Sequence, residues 1–120
     1  MGVSKSELLA SVIDRLSDPK RWTRGCSARV KDGRAVSPVD PRAESWCTTG
    51  CISKELKLRG HRRDGVTFAL QDELRATFEQ QYPEIPRTCL EGYNDHDLVD
   101  HPGLMKVFHK VYNSLIERGE

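Results

Sequence analysis

The residues best equipped for chemistry are Cys47, His96, His101 and Asp95. A thiol nucleophile, a histidine base and an Asn94, Asp95 or Asp97 side chain to orient the ring make up the set that a small thiol hydrolase requires. Metal chemistry has two candidate donor groups. Cys47 and Cys51 are spaced to share one helical face, with Cys26, Cys89 or a histidine to complete a zinc site. Structural zinc sites more often use tight Cys-x-x-Cys turns, so this spacing is weak. Asp95, His96, Asp97, Asp100 and His101 form an acidic, imidazole-bearing loop. It lacks the central glycine and final glutamate of a calcium loop. The expected metal and cofactor content is therefore none.

Whether Cys47 reacts depends on the element that carries it. Asp40 followed by Pro41 reads as a helix cap with proline in the first turn. From that start Ala43, Trp46, Cys47, Gly50 and Cys51 recur at i, i+3, i+4, i+7 and i+8, the spacing of a single face. The spacing predicts a central helix over about 40–57, with Gly50 admitting a close neighbour and Trp46 filling the flank. Cys47 then lies about two turns inside, where the field of the helix end has faded, and reads as a small buried hydrophobe.

Other boundaries are signalled locally. Ser4 and Glu7 form a capping box, with Val3 placed to staple onto Leu8. Leu8, Leu9, Val12, Ile13 and Leu16 continue the stripe until Asp18-Pro19 ends it. Trp22 reads as a plug at the core edge. Lys31-Asp32-Gly33 between two short runs predicts a β-hairpin over about 27–36. Leu70, Leu74, Phe78 and Tyr82 mark another helix, begun at Thr67 or Gln71 and stopped by Pro83. Thr88 to Gly92 is an apolar link. A last helix starts near Pro102, capped by Asp100 or His101, and carries Leu104, Val107, Phe108, Val111, Tyr112 and Leu115. The expected fold is one α+β domain, mainly helical. About four helices pack around the 40–57 helix, with the first and last covering it, beside a short β-hairpin.

Composition narrows the function classes. The chain has 120 residues, 31% charged, with 19 basic and 18 acidic side chains and a formal net charge of +1. That balance gives no global field for nucleic acid or an anionic membrane. The basic stretch at 57–63 could touch phosphates, but such a run is usually a solvated connector, so nucleic-acid contact is an alternative of lower rank. No apolar run reaches the length of a membrane span, and no secretory leader is evident. The expectation is a cytoplasmic protein with four free thiols.

Trp22 before a glycine, the Asp-Gly hairpin, Trp46-Cys47-x-x-Gly50 and aromatic-Asn94-Asp95 ahead of the last helix together resemble a family of small uncharacterised bacterial and phage proteins, a domain of unknown function. The resemblance extends over about Leu8 to Leu115. Tyr93 stands where that pattern usually has Trp, and Cys51 where it has Ala. The resemblance implies an intracellular accessory protein and brings no substrate, cofactor or catalytic residue. The sequence thus favours a protein- or ligand-binding module using Trp46, Tyr93, Asn94 and Asp95, of unassigned oligomeric state. The alternative is a thiol hydrolase using Cys47 with His96 or His101. One contact follows as an expectation: the Asp95 carboxylate reaching the Trp46 indole N–H or the backbone of the central helix.

Overall fold

The computed structural model describes residues 2–120. The first helix, α1 (Lys5–Leu16), starts where the capping box places it: Ser4 Oγ accepts from Glu7 N at 3.1 Å. Its buried face of Leu8, Leu9, Val12 and Leu16 is the apolar stripe. A 3-10 turn (Pro19–Arg21) follows, with Asp18 accepting from Lys20 N. Strands β1 (Ala28–Arg29) and β2 (Ala35–Val36) pair antiparallel, Ala28 opposite Val36 and Arg29 opposite Ala35. Val30 N donates to Arg34 O, and Gly33 takes φ 93°, a backbone region glycine enters without strain.

The segment after the hairpin departs from the expected helix. Residues 40–46 form a turn and a third strand, β3 (Ser45–Trp46), which pairs antiparallel with the other edge of β1, giving the order β2-β1-β3. Asp40 caps only a turn: its Oδ1 accepts from Arg42 N at 2.8 Å and the carboxylate pairs with the Arg42 guanidinium at 3.0 Å. Helix α2 (Thr48–Leu58) begins eight residues later than the Asp-Pro signal, with Cys47 as its N-cap. Pairing of Ser45 and Trp46 with a strand 17 residues earlier satisfies backbone groups that a helix would have satisfied locally.

Three further helices complete the fold: α3 (Gly65–Gln81), α4 (Leu90–Asp95) and α5 (His101–Arg118). Asp64 caps α3 by accepting from Thr67 N, and Asp100 caps α5 by accepting from Gly103 N at 2.8 Å. Gly119 at φ 73° ends α5 in the left-handed conformation that favours glycine at this position. The short apolar link at 88–92 belongs in part to α4, so there are five α-helices among the described residues. The mainly helical α+β class holds, but the hub is α1, which lies against α2, α3 and α5, and α5 lies chiefly against α1 and α3. The core under α1 is continuous: Leu8, Leu9, Ile52, Leu70, Leu74, Phe78, Tyr93, Leu104, Phe108 and Leu115 are fully buried.

Candidate functional site

Asn94, at the end of α4, is fully buried and ties two distant segments to its own. Its Oδ1 accepts from Trp22 Nε1 at 2.8 Å, Thr48 N at 2.9 Å and Thr48 Oγ1 at 2.7 Å. Its Nδ2 donates to Thr23 O at 3.1 Å and to Asp95 Oδ1 at 2.9 Å. Asp95 Oδ1 in turn accepts from Gly25 N at 3.0 Å. An amide is the side chain that can offer an acceptor to one strand and donors to another at the same time. The expected tie between the Asn-Asp segment and α2 is thus made by Asn94 on the helix backbone, and not by Asp95. The Trp46 indole N–H goes to Pro38 O at 2.9 Å.

Beside this clasp lies a pocket of ≈ 250 Å³ lined by Gly25, Cys26, Ser27, Cys47, Thr49, Glu91 and Asp95. Its floor is tight. Cys47 N donates to Ser27 O at 3.1 Å, and a Cβ on Gly50 would stand 2.1 Å from the same oxygen. Gly50 is therefore required by the close approach of the chain before β1 to the first turn of α2. Cys47 sits at the helix start, where its Sγ accepts from Gly50 N at 3.2 Å. Cys47 as a residue is 4% exposed. This corrects the expectation that Cys47 lies two turns inside a helix. A cysteine cap falls outside the Ser, Thr, Asp and Asn group by which helix starts are recognised, which is why the sequence concealed it.

The structure brings Cys47 and Asp95 to one pocket, and neither His96 nor His101 lines it. His96 Nδ1 accepts from Leu98 N at 3.1 Å. His101 Nε2 donates to Leu16 O at 2.7 Å, and its ring lies against Trp22 with centroids 6.0 Å apart. Tyr93 is fully buried, stacked on Phe78 at 5.7 Å, and its hydroxyl has no hydrogen-bond partner among the described residues. Trp46 is 4% exposed beneath the Arg15 guanidinium, 4.7 Å from its ring, and Arg15 also pairs with the buried Glu55 carboxylate. Cys51 lies at this level of the core. Burial, reinforced by the Glu55 charge, pushes its thiol far above the ordinary range, which keeps it protonated.

Among the described residues no group of three or more His, Cys, Asp or Glu side chains is disposed to hold a metal ion. The basic 57–63 stretch is partly occupied by its own chain. Arg63 donates to Thr49 O and Ser53 Oγ, and Arg59 to Ser11 Oγ. A second, more apolar groove of ≈ 430 Å³ runs between α1 and α5, lined by Ala10, Ile13, Met105 and Tyr112 with Asp14, Ser17 and His109. Among the described residues no helix is long and apolar enough to cross a membrane. No family model, curated protein or solved structure matches the chain.

Proposed function

We propose that the chain is a small intracellular binding module, an accessory protein of the bacterial or phage kind that its resemblance implies, with the pocket at the start of α2 as its site. The observation that carries this reading is the Asn94 clasp. One buried side chain holds the Trp22–Gly25 loop, the first turn of α2 and the end of α4 by side-chain hydrogen bonds. A wall fixed in this way loses little entropy when a ligand enters. The pocket presents two carboxylates, Glu91 and Asp95, and no basic side chain lines it. It suits a small cationic or hydrogen-bond-donating group, free or carried on a partner's side chain.

Amide NMR with n-butylammonium and ethylguanidinium as probes tests this. Saturable shifts at Gly25, Ser27 and Thr49, weakened by Glu91→Gln, are expected. Glu91 is exposed and outside the clasp, so its loss leaves the fold intact. Flat titrations with both probes would overturn the assigned site.

One observation favours the thiol-hydrolase reading: the Cys47 sulfur accepts a backbone N–H at a helix start, a setting that nucleophilic thiols use. It lacks a histidine in the same pocket. Turnover of a thioester or activated amide that disappears in Cys47→Ser and survives in His96→Ala and His101→Ala would support Cys47 acting without them.

A further inference from the structure

Cys26 and Cys47 come from segments 21 residues apart and line the same pocket. The backbone places them close together. Ala28 pairs with Trp46, and one rung further Cys47 N donates to Ser27 O. Cys26 is thus one residue off the Ser27–Cys47 rung. Facing residues of an antiparallel pair are about 5.5 Å apart and one residue adds about 3.4 Å along the strand, giving a diagonal of about 6.5 Å. Disulfides bridge Cα separations of about 4.4–6.8 Å. In a regular strand, side chains of opposite parity would face away from each other. Cys26 lies outside β1, in a bend where strand parity no longer applies, with its Sγ donating to Ala28 O at 3.3 Å, and both residues line the pocket.

Access differs between the two thiols. Cys26 is half-buried and Cys47 nearly sealed. Of the remaining cysteines, Cys51 is fully buried on α2 and Cys89 is exposed at the start of α4.

We propose that Cys26 and Cys47 form a reversible disulfide when the protein meets a hydroperoxide, a modification site in the lining of the pocket at the start of α2. The Cys26 thiolate attacks the hydroperoxide: an S–O bond forms, the O–O bond breaks, and the distal oxygen leaves as water or alcohol after taking a proton. The Cys47 thiolate then attacks the Cys26 sulfur. An S–S bond forms, the S–O bond breaks, and the hydroxyl leaves as water. Two thiols are oxidised by two electrons and one hydroperoxide is reduced, so no other co-reactant is needed. The link joins the chain before β1 to the cap of α2 within the lining of the pocket. Its formation does not depend on what the pocket binds.

The test uses the full chain with Cys89→Ser, which removes the exposed thiol and leaves a residue that caps helices better than cysteine does. After stoichiometric hydrogen peroxide, the protein is denatured, its free thiols are alkylated, and peptides are mapped. The expected result is loss of two of the three remaining thiols, a Cys26–Cys47 linked peptide, and full recovery with dithiothreitol. Cys47→Ser keeps an oxygen acceptor at the cap and should stop the sequence at a Cys26 sulfenic acid that dimedone traps. Three reduced thiols after treatment, or Cys26 and Cys47 oxidised separately with no linked peptide, would overturn the proposal.

Discussion

Asn94 and Tyr93 are neighbours on α4, both fully buried, and the structure uses their polar atoms in opposite ways. Every polar atom of the Asn94 amide is engaged, and its removal strands the Trp22 indole N–H and the Thr48 N–H. Each buried group left unpaired costs about 1–3 kcal/mol, so Asn94→Ala should lose about 3 kcal/mol or more, read as a lower urea midpoint. Asn94→Asp should fare no better. It keeps the acceptor, but an oxygen replaces the donor that faces Thr23 O and Asp95 Oδ1. Tyr93 is the contrary case, since its hydroxyl is buried without a partner among the described residues. Tyr93→Phe keeps the stacking on Phe78 and should leave stability unchanged or raise it by up to about 1 kcal/mol in the same assay. A marked loss of stability would show that the hydroxyl is bonded, for instance to an internal water. That the Asn-Asp segment reaches α2 was legible in the sequence. Which of the two side chains makes the tie, and that Trp22 is the indole involved, depended on long-range placement that spacing does not encode.

At the level of elements, signals confined to a few residues read correctly and signals that compete with distant pairing did not. The Ser4 capping box, the Asp-Gly turn, Pro83 and the apolar stripes of α1, α3 and α5 lie where the sequence places them. The start of α2 does not, because Ser45 and Trp46 pair with β1 before the helix begins. A two-residue strand is too short to show alternation, so the helical spacing of Ala43 to Cys51 had no visible competitor. The same pattern still identified Gly50 as the point of close approach, and the structure supplies the neighbour, Ser27 O. Gly50→Ala sets two effects against each other. Alanine gains up to about 1 kcal/mol of helix propensity, while a Cβ at 2.1 Å from a backbone oxygen forces strand and helix apart. Overpacking of this kind costs about 1–3 kcal/mol, and backbone cannot rotate away as a side chain can. Net destabilisation is therefore expected, with the Ser27 and Cys47 amide resonances shifted. A more stable Gly50→Ala would mean that the chain before β1 yields easily.

Across the whole molecule, both ends of the chain and α3 meet in one network of charges. Lys5 contacts Glu73 and Glu120 at 3.1 and 2.6 Å, and Arg118 contacts Glu73 and, at 2.8 Å, Glu120. Ser6 N adds a backbone bond to Glu120 O. The network joins the start of α1 to the end of α5, which neither helix's own pattern could announce. Hydrogen bonds from Lys5 and then Arg118 hold the Glu120 carboxyl down from 4.5 to about 2. A carboxylate depressed on folding contributes stability that is fully present above its ordinary value and is lost as pH falls through the folded one. The contribution of Glu120 should therefore be intact at pH 7 and should fade between pH 4.5 and about 2. These groups face solvent, so the effect is modest and screened by salt. Glu120→Gln should lower the Tm slightly at pH 7, with the variant and wild-type curves converging as pH falls through that window. At pH 7, molar sodium chloride should shrink the gap in the same way. A gap that persists at pH 2 and in high salt would assign the effect of Glu120 to packing rather than to charge.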